Sequence, residues 1–300
     1  MAENRENAIV MTGATGYLGS RTLKRLVDLG FEIVVLKRSF SDVSRIGDYL
    51  ARVAVFNVDE RDIRSLFEET RVAAILHLAA NYGRKTIDPS KTMEDNVIFP
   101  LRLLHLGREH GIRGFLNVDT SLPPMISPYS LSKRQFADWL SLYCQDAGGF
   151  KAVNVELEHF YGPFAGETNF VSMVIATILS ACPSLALTGG DQRRVFIYID
   201  DAADALATII SRLASFADGF NRIEVGSGQS VSIRELVQLI AKTCPDCKTK
   251  FNFGELPYRK NEMMESKADL ADVSRLGWRP RVSLPDGIAR TVELEKRKGG

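Results

Sequence analysis

The chain has few of the residues that mark specialised protein classes. Its 300 residues include four cysteines, four histidines and two tryptophans. So low a cysteine content excludes a disulfide-rich secreted scaffold. Cys244 and Cys247 form a lone C-P-D-C, and no second Cys or His pair follows at the spacing that a zinc site needs. The sequence therefore predicts no metal site.

The chain also lacks an excess of charge of either sign. Lysine and arginine number 38 against 37 aspartates and glutamates, which gives a formal net charge of +1. This balance argues against nucleic acid as the main partner. The first residues lack the layout of a signal peptide, and polar residues interrupt the uncharged stretch from Thr168 to Gly190. We expect a cytoplasmic protein without a membrane partner.

Apolar runs typical of strands alternate with helical spacing over the first 160 residues or so. Strands are predicted at 8–11, 31–36, 53–58, 73–80, 114–118 and 151–157, and helices at 18–29, 63–69, 97–110 and 130–147. This alternation predicts an α/β fold with a Rossmann-type doubly wound parallel sheet and a smaller C-terminal α/β substrate domain.

The pattern changes after Tyr161-Gly162-Pro163, which places the predicted domain boundary at residue 163. Residues 1–163 would then form the dinucleotide-binding domain and residues 164–300 mainly the substrate domain. We expect the chain to return to the first domain around residues 193–228.

Three glycines follow the first strand and open the first helix in the pattern G-x-x-G-x-x-G. Without a Cβ the chain turns tightly and a pyrophosphate can approach the backbone, while the helix N-terminus supplies free N–H groups. The pattern therefore predicts a dinucleotide site. Its candidate residues are Gly13, Thr15, Gly16, Tyr17, Leu18 and Gly19.

The second strand ends at Lys37, Arg38 and Ser39, where an NAD site usually places a carboxylate for the ribose 2′-hydroxyl. A carboxylate would repel a 2′-phosphate, whereas a guanidinium grips it with two hydrogen bonds. The loop therefore predicts NADP(H) as the cofactor in preference to NAD.

Tyr129 and Lys133 form a Y-x-x-x-K pair at the start of a predicted helix. The i, i+4 spacing puts phenol and ammonium on one helical face, and a nearby cation lowers the pKa of a phenol. Thr120 follows the preceding strand and supplies a hydroxyl for the same substrate oxygen. His77, on an apolar strand, is interpreted as a packed core residue.

Together these motifs resemble the extended short-chain dehydrogenase/reductases, the NAD-dependent epimerase/dehydratase family, over nearly the full length. The resemblance rests on TGATGYLG at 12–19, HLAA at 77–80, DNVIFPL at 95–101, the Thr120, Tyr129 and Lys133 trio, HFYGP at 159–163, RRVFIYIDD at 193–201 and LGWRP at 276–280. Within the family, the segments ELEHFYGP, LAANYGRKT and FNFGE…RKNEMM are most similar to CDP-abequose and CDP-paratose synthases. Those enzymes reduce the 4-keto group of a CDP-3,6-dideoxyhexulose with NADPH.

The resemblance implies roles for single residues. Tyr129 would donate the proton, Lys133 would tune it and bind the nicotinamide ribose, and Thr120 would orient the ketone. Asn96 would match a helix-bending asparagine that supports a water relay to the lysine. Further implied cofactor contacts are Asn57 and Val58 at the adenine, Leu78, Ala79 and Ala80 along the cofactor, and His159 near the carboxamide. Implied contacts to a nucleotide-diphosphate sugar are Tyr82, Asn169, Arg194 and Arg259.

The chain departs from the family pattern at two places. Thr120 and Tyr129 are only nine residues apart, so the loop between them must bend sharply, and Glu156 stands where an arginine is usual. In the family, two helices pair with their copies in a dimer. By resemblance we expect a homodimer through the helices near Met93–His110 and Ser130–Ala147. The predicted contacts are Leu103, Leu106, Phe136 and Leu140.

Three alternatives to a 4-ketoreductase share this scaffold. A 4,6-dehydratase needs an acid and a base after the central hydroxyl, but Ser121 and Leu122 follow Thr120. A 4-epimerase usually keeps bound NAD, which the loop containing Lys37 and Arg38 disfavours. A non-catalytic NADP-binding regulator remains open. The sequence leaves open the nucleotide base, the deoxyhexose and the product stereochemistry.

Overall fold

The computed structural model describes residues 7–83, 88–145, 148–166 and 168–299. The end of the predicted helix at Ala147 and the last letters of the LAANYGRKT segment, from Arg84 on, lie outside these residues. The strands are β1 (Ala8–Thr12), β2 (Ile33–Lys37), β3 (Ala54–Asn57), β4 (Val72–His77), β5 (Gly114–Thr120), β6 (Lys151–Leu157), β7 (His159–Tyr161), β8 (Ser184–Leu187), β9 (Arg193–Tyr198), β10 (Gly219–Val225), β11 (Ser230–Ser232) and β12 (Lys250–Phe253).

The α-helices follow the strands in the predicted alternation. They are α1 (Tyr17–Asp28), α2 (Ile63–Glu69), α3 (Pro89–Met93), α4 (Phe99–Glu109), α5 (Pro128–Tyr143), α6 (Phe170–Leu179), α7 (Ile199–Ser211), α8 (Ile233–Thr243), α9 (Ala271–Arg275) and α10 (Leu284–Gly299). A π-helical segment at Glu94–Ile98 joins α3 to α4.

The central sheet has seven strands in the order β10-β6-β5-β4-β1-β2-β3. β1 lies in parallel between β2 and β4, with Val10 opposite Val34 on one side and Ile75 on the other. The predicted Rossmann-type parallel sheet is confirmed. Because the strands are parallel, the carboxyl ends of β1, β4 and β5 meet at one edge, where ligands bind in such folds.

The chain divides into two compact units. The first comprises Met1–Glu156, Ala203–Ile223 and Asp272–Trp278, and the second comprises Leu157–Ala202, Glu224–Ala271 and Arg279–Gly300. The division thus falls seven residues before the predicted position of 163. One return to the first unit spans 203–223, within the predicted 193–228, and a second return, at 272–278, was not predicted. The reason is pairing: β7 and β9 are hydrogen-bonded to each other in a three-stranded sheet with β11, whereas β10 pairs with β6.

The dimer contacts predicted on α4 and α5 are wrong. Leu103, Phe136 and Leu140 have no exposed surface and Leu106 is only 8% exposed, because all four belong to the chain's own hydrophobic core. Both helices are apolar on more than one face, and the predicted residues lie on the face that packs inward.

Two further features of the described residues bear on function. None of the helices is long and apolar enough to cross a membrane. Within the same residues, no group of three or more His, Cys, Asp or Glu side chains lies where it could hold a metal ion.

Candidate active site

The glycine loop has a backbone that only glycine allows. Gly13 has φ +70°, and a Cβ there would lie 2.6 Å from the backbone nitrogen of Ala79. A Cβ on Gly19 would lie 2.0 Å from the carbonyl oxygen of Gly13. Gly16 occupies the N-cap of α1 without a capping side chain. The first turn of α1 therefore has no side-chain cap, and the loop fits a pyrophosphate.

Thr12 and His77 join the glycine loop to the end of β4. Thr12 Oγ1 accepts hydrogen bonds from the backbone N–H groups of Leu78 (3.2 Å) and Ala79 (3.1 Å) and lies 2.8 Å from His77 Nδ1. The Thr12 hydroxyl proton therefore points to Nδ1, so Nδ1 accepts. Burial lowers the pKa of His77 well below its ordinary value, and the charge of Lys133 lowers it further. His77 is a buried core residue, as predicted, and it is neutral.

In the loop after β2, Lys37 and Ser39 form hydrogen bonds within the protein, whereas Arg38 is exposed. The backbone N–H and the hydroxyl of Ser39 both donate to the Asp59 carboxylate, at 2.7 and 2.6 Å. These bonds hold the pKa of Asp59 below its ordinary value, the side-chain bond contributing most. Lys37 Nζ donates to the carbonyls of Arg38 and Ser39. Arg38 itself is exposed beside the Phe40 ring.

Asn57 carries an unsatisfied acceptor at the end of β3. Its Nδ2 donates to Glu60 at 2.8 Å, whereas its Oδ1 is buried and has no hydrogen-bond partner within the described part of the chain. A buried acceptor without a partner is uncommon. Its position fits the exocyclic amino group of an adenine, the contact predicted for Asn57 and Val58.

A short turn and the start of α5 make up most of the short connection from Thr120 to Tyr129. A 3-10 turn at Pro124–Ile126 leads into Ser127, which exchanges capping-box hydrogen bonds with Ser130. Tyr129 therefore lies in the first turn of α5, as predicted. Its ring lies against Tyr82, with 4.7 Å between the ring centroids.

Lys133 lies one turn further along α5 and ends a buried chain of polar groups. Its Nζ donates to Asn117 Oδ1 at 3.3 Å, Asn117 Nδ2 donates to Asn154 Oδ1 at 2.7 Å, and Asn154 Nδ2 donates to Asp119 Oδ2 at 2.8 Å. Asp119 Oδ1 accepts from the backbone N–H of Thr120. Burial lowers the pKa of Lys133, and the Asp119 carboxylate opposes this shift.

The motifs of the sequence did not point to Asn117, Asp119 and Asn154. The available signal was their polarity within the otherwise apolar strands β5 and β6, where Asn117 and Asp119 are two residues apart and so share a face. An asparagine in a buried strand needs a partner. That partner is on a neighbouring strand and is not readable from spacing alone.

Asn96 lies in the π-helical segment, in agreement with its predicted role as a helix-bending residue. Its Oδ1 accepts from the backbone N–H of Asn81 at 2.7 Å, and its Nδ2 donates to the Asn81 carbonyl and to Ser132 Oγ, both at 2.9 Å. Asn96 thus connects the loop after β4 to the residue before Lys133. The water relay implied by the resemblance stays a prediction.

Arg194 and Arg259, predicted to hold a diphosphate, are electrostatic neighbours in the second unit. Arg194 is buried, and its guanidinium donates to Glu262 Oε1 at 2.5 Å and to a neighbouring carbonyl. Burial lowers the pKa of Arg194, while Glu262 and Glu158 oppose that shift. Arg259 is exposed.

Asn169 and His159 have structural partners in the second unit. Asn169 caps α6 through Oδ1, and its Nδ2 donates to the carbonyl of Phe160 at 3.0 Å. His159 Nδ1 lies 3.4 Å from Glu158 Oε2, and the buried Glu158 accepts from Ser266. The amide of Asn169 is thus engaged inside its own unit, and a substrate contact would add to that role.

Glu156, the departure noted beside the YGP segment, is an ion-pair partner. Its carboxylate lies 2.5 Å from the guanidinium of Arg222 on β10, the strand that pairs with β6. The residue therefore joins two neighbouring strands at the edge of the central sheet.

Comparison with known proteins shows full-length relatives. Residues 9–226 match the NAD dependent epimerase/dehydratase family. A CDP-abequose synthase from Salmonella typhimurium is 30% identical over 298 residues, which span 96% of this chain and 97% of that protein. A UDP-glucose 4-epimerase from Mycolicibacterium smegmatis is 27% identical, with coverage of 96% and 98%.

Solved structures share the fold. A UDP-glucose 4-epimerase from Thermotoga maritima, solved with UDP-glucose, has a TM-score of 0.84 at 22% identity and covers 98% of this chain and 100% of its own. A Thermus thermophilus UDP-glucose 4-epimerase in complex with NAD has a TM-score of 0.80 at 25% identity, with coverage of 96% and 99%. With the sequence match over most of its length, the chain belongs to the NAD dependent epimerase/dehydratase family.

Proposed function

We propose that this protein reduces the 4-keto group of a nucleotide-linked deoxyhexulose with NADPH. The observation that carries the proposal is the 30% identity to a CDP-abequose synthase over nearly the whole length of both chains. This chain also has Tyr129 and Lys133 one helical turn apart and no acid–base pair after Thr120. These features support a reductase over a dehydratase.

When bound, NADPH supplies the hydride for the carbonyl carbon. The Tyr129 hydroxyl donates a proton to the oxygen of the same carbonyl, and the Lys133 ammonium favours the phenolate that results. The Thr120 hydroxyl orients the ketone by a hydrogen bond. The glycine loop would hold the cofactor pyrophosphate, and Arg38 would hold the 2′-phosphate.

The sugar-nucleotide diphosphate would be held by Arg194 and Arg259, with Asn169 and Tyr82 as further contacts. Each guanidinium can donate two hydrogen bonds to phosphate oxygens. Since Arg194 is already bonded to Glu262, the exposed Arg259 offers the larger share of its donors.

The test is to mix the purified protein with NADPH and CDP-, dTDP- or GDP-linked 4-keto sugars. We expect NADPH absorbance to fall in step with the appearance of a 4-hydroxy sugar for one of them. Tyr129→Phe, which keeps the ring, should bind NADPH and turn over at least about 100-fold more slowly. If NADPH binds but no 4-keto sugar is reduced, the proposal fails.

The second candidate is a nucleotide-sugar 4-epimerase with bound NAD. The UDP-glucose 4-epimerase relative and the NAD complex of the Thermus enzyme favour it. An epimerase would retain NAD through purification and interconvert UDP-glucose and its 4-epimer without added cofactor. A non-catalytic regulator would bind NADPH and do neither.

A further inference from the structure

A buried network of polar groups joins Lys133 to Asp119, and its members other than Lys133 lie outside the motifs by which the family was identified. It runs from Lys133 on α5 through Asn117 on β5 and Asn154 on β6 back to Asp119 on β5. All four residues are at most 6% exposed. A polar network in a buried sheet is costly to assemble, and its hydrogen bonds specify one arrangement of its members.

In this buried network, every hydrogen bond runs in the same direction, from the lysine toward the aspartate. Lys133 Nζ can only donate and the Asp119 carboxylate can only accept, so the two ends determine how both amides are turned. Asn117 and Asn154 each accept on the lysine side through Oδ1 and donate on the aspartate side through Nδ2. The two amides therefore carry polarisation from the ammonium to the carboxylate.

Lys133 needs such compensation because it forms no direct ion pair with any residue that the structure describes. Asp119 approaches from β5, the neutral His77 lies at the end of β4, and Tyr129 lies one turn earlier on α5. The carboxylates of the neighbouring π-helical segment, Glu94 and Asp95, pair with Lys91.

We propose that Asp119, acting through Asn154 and Asn117, is the counter-charge that keeps Lys133 protonated and holds its Nζ in place. Asp119 and the two asparagines are positioning residues, since they act on the reaction through Lys133. Asp119 also accepts from the backbone N–H of Thr120. One carboxylate thereby holds groups from both ends of the proposed catalytic trio. The role in the reaction rests on the proposed function, whereas the charge relation does not.

The first experiment reads Lys133 directly. Protein labelled with [13Cε]lysine is titrated by NMR without cofactor or substrate, and the Lys133 signal is assigned by its loss in Lys133→Met. In Asp119→Asn we expect the midpoint of Lys133 to fall by about half a pH unit or more. Asp138→Asn is the matched control, because it removes an exposed carboxylate from α5, the helix that carries Lys133. It should leave the Lys133 midpoint unchanged. An unchanged midpoint in Asp119→Asn would overturn the proposal.

A second variant separates charge from packing. Asn117→Asp combined with Asp119→Asn moves the carboxylate next to Lys133 Nζ and keeps the net charge of the unmutated chain. We expect this double variant to bring the midpoint back to or above its original value. If it folds, as judged by circular dichroism, and its midpoint stays as low as that of Asp119→Asn, the carboxylate acts by packing and the proposal is wrong. If Asp119→Asn alone does not fold, the midpoint of the double variant is compared with that of the unmutated protein instead.

The activity measurement distinguishes this proposal from the proposed function. If the protein is a ketoreductase, Asp119→Asn should lower kcat about tenfold. The alkaline limb of its pH profile should move to lower pH, with KM little changed. If the Lys133 NMR midpoint shifts in Asp119→Asn but the pH profile of activity does not change, the positioning role is contradicted. If the unmutated protein reduces no 4-keto sugar, the proposed function fails, and the NMR midpoints still support or refute the charge relation.

Discussion

At the scale of single residues, Arg38 is expected to decide which cofactor binds. Ser39 is bonded to Asp59 and Lys37 to nearby carbonyls, so we expect the exposed Arg38 guanidinium to contribute most of the selectivity. NADPH should bind at least about tenfold tighter than NADH, a difference of about 1.4 kcal/mol. Arg38→Asp should erase or reverse this preference in fluorescence titrations. The exposed Lys24, outside the loop, provides a control of equal charge change as Lys24→Asp. Equal affinities in the unmutated protein would refute the assignment.

His77 is expected to make the folding stability depend on pH in the acid range. Its pKa is depressed in the folded state, so the unfolded chain binds more protons below the ordinary value of about 6.5. The stability that neutral His77 supports is therefore complete above that pH. As the pH falls toward the lower folded-state pKa, it is lost at up to about 1.4 kcal/mol per pH unit.

Urea unfolding at several pH values checks this dependence. His77→Gln cannot titrate, so its curve should be flatter on the acid side than that of the unmutated chain. The exposed His105 is the control, and His105→Gln should keep the original slope. Equal slopes for the two variants would show that other groups set the acid dependence.

Arg194 and Arg259 should respond differently to truncation. Arg194→Ala leaves the partly buried Glu262 without its guanidinium partner, so we expect it to cost about 1–3 kcal/mol of folding stability. Arg259 is exposed, and Arg259→Ala should change stability by less than about 0.5 kcal/mol. It should weaken sugar-nucleotide binding by about 2 kcal/mol or more and leave NADPH affinity unchanged. Isothermal titration calorimetry measures the affinities for the sugar nucleotide and for NADPH. Unchanged sugar-nucleotide binding in Arg259→Ala would show that Arg259 is not part of the diphosphate site.

At the scale of elements, the glycine loop depends on the packing of α1 against the turn before it. Gly19→Ala places a Cβ 2.0 Å from the Gly13 carbonyl oxygen, so the loop must move. We expect a loss of about 1–3 kcal/mol in folding stability and of most of the cofactor affinity. Apart from its own chain neighbours, no described atom lies within 4 Å of the Cβ position of Gly47, so Gly47→Ala is the matched control and should leave both unchanged. Tight cofactor binding by Gly19→Ala would show that the pyrophosphate binds elsewhere.

At the scale of the whole molecule, the homodimer stays a prediction, but its contact residues change. The outward face of α5 carries Leu131, Trp139 and Leu142, which are 38%, 43% and 51% exposed. If α5 pairs with its copy, Trp139→Glu should place a charge in the contact and convert the dimer to a monomer in sedimentation experiments at micromolar concentration. Leu179→Glu, which alters an exposed leucine of α6, should leave the mass unchanged. A monomeric unmutated protein would refute the dimer.

Much of the fold follows from local pattern. The predicted helix at 63–69 and strand at 151–157 coincide with α2 and β6, and most other predicted elements differ only at their ends. Periodicity cannot say which strands pair, however. The division after Glu156 therefore differs from the predicted one, because the hydrogen bonding of β7 to β9 decides it.

The sequence by itself determined the alternation of strands and helices, the glycine loop and the helical turn that separates Tyr129 from Lys133. Each of these depends on residues close together in the chain, where periodicity and backbone freedom act directly. Only the tertiary structure decided the partners that join distant residues: Asp59 with Ser39, Glu262 with Arg194 and Asp119 with Asn154, which are 20, 68 and 35 positions apart. It also decided that Leu103 and Phe136 point into the core. The physical reason is that strand order and helix packing choose these neighbours, and both arise from burial over the whole sheet.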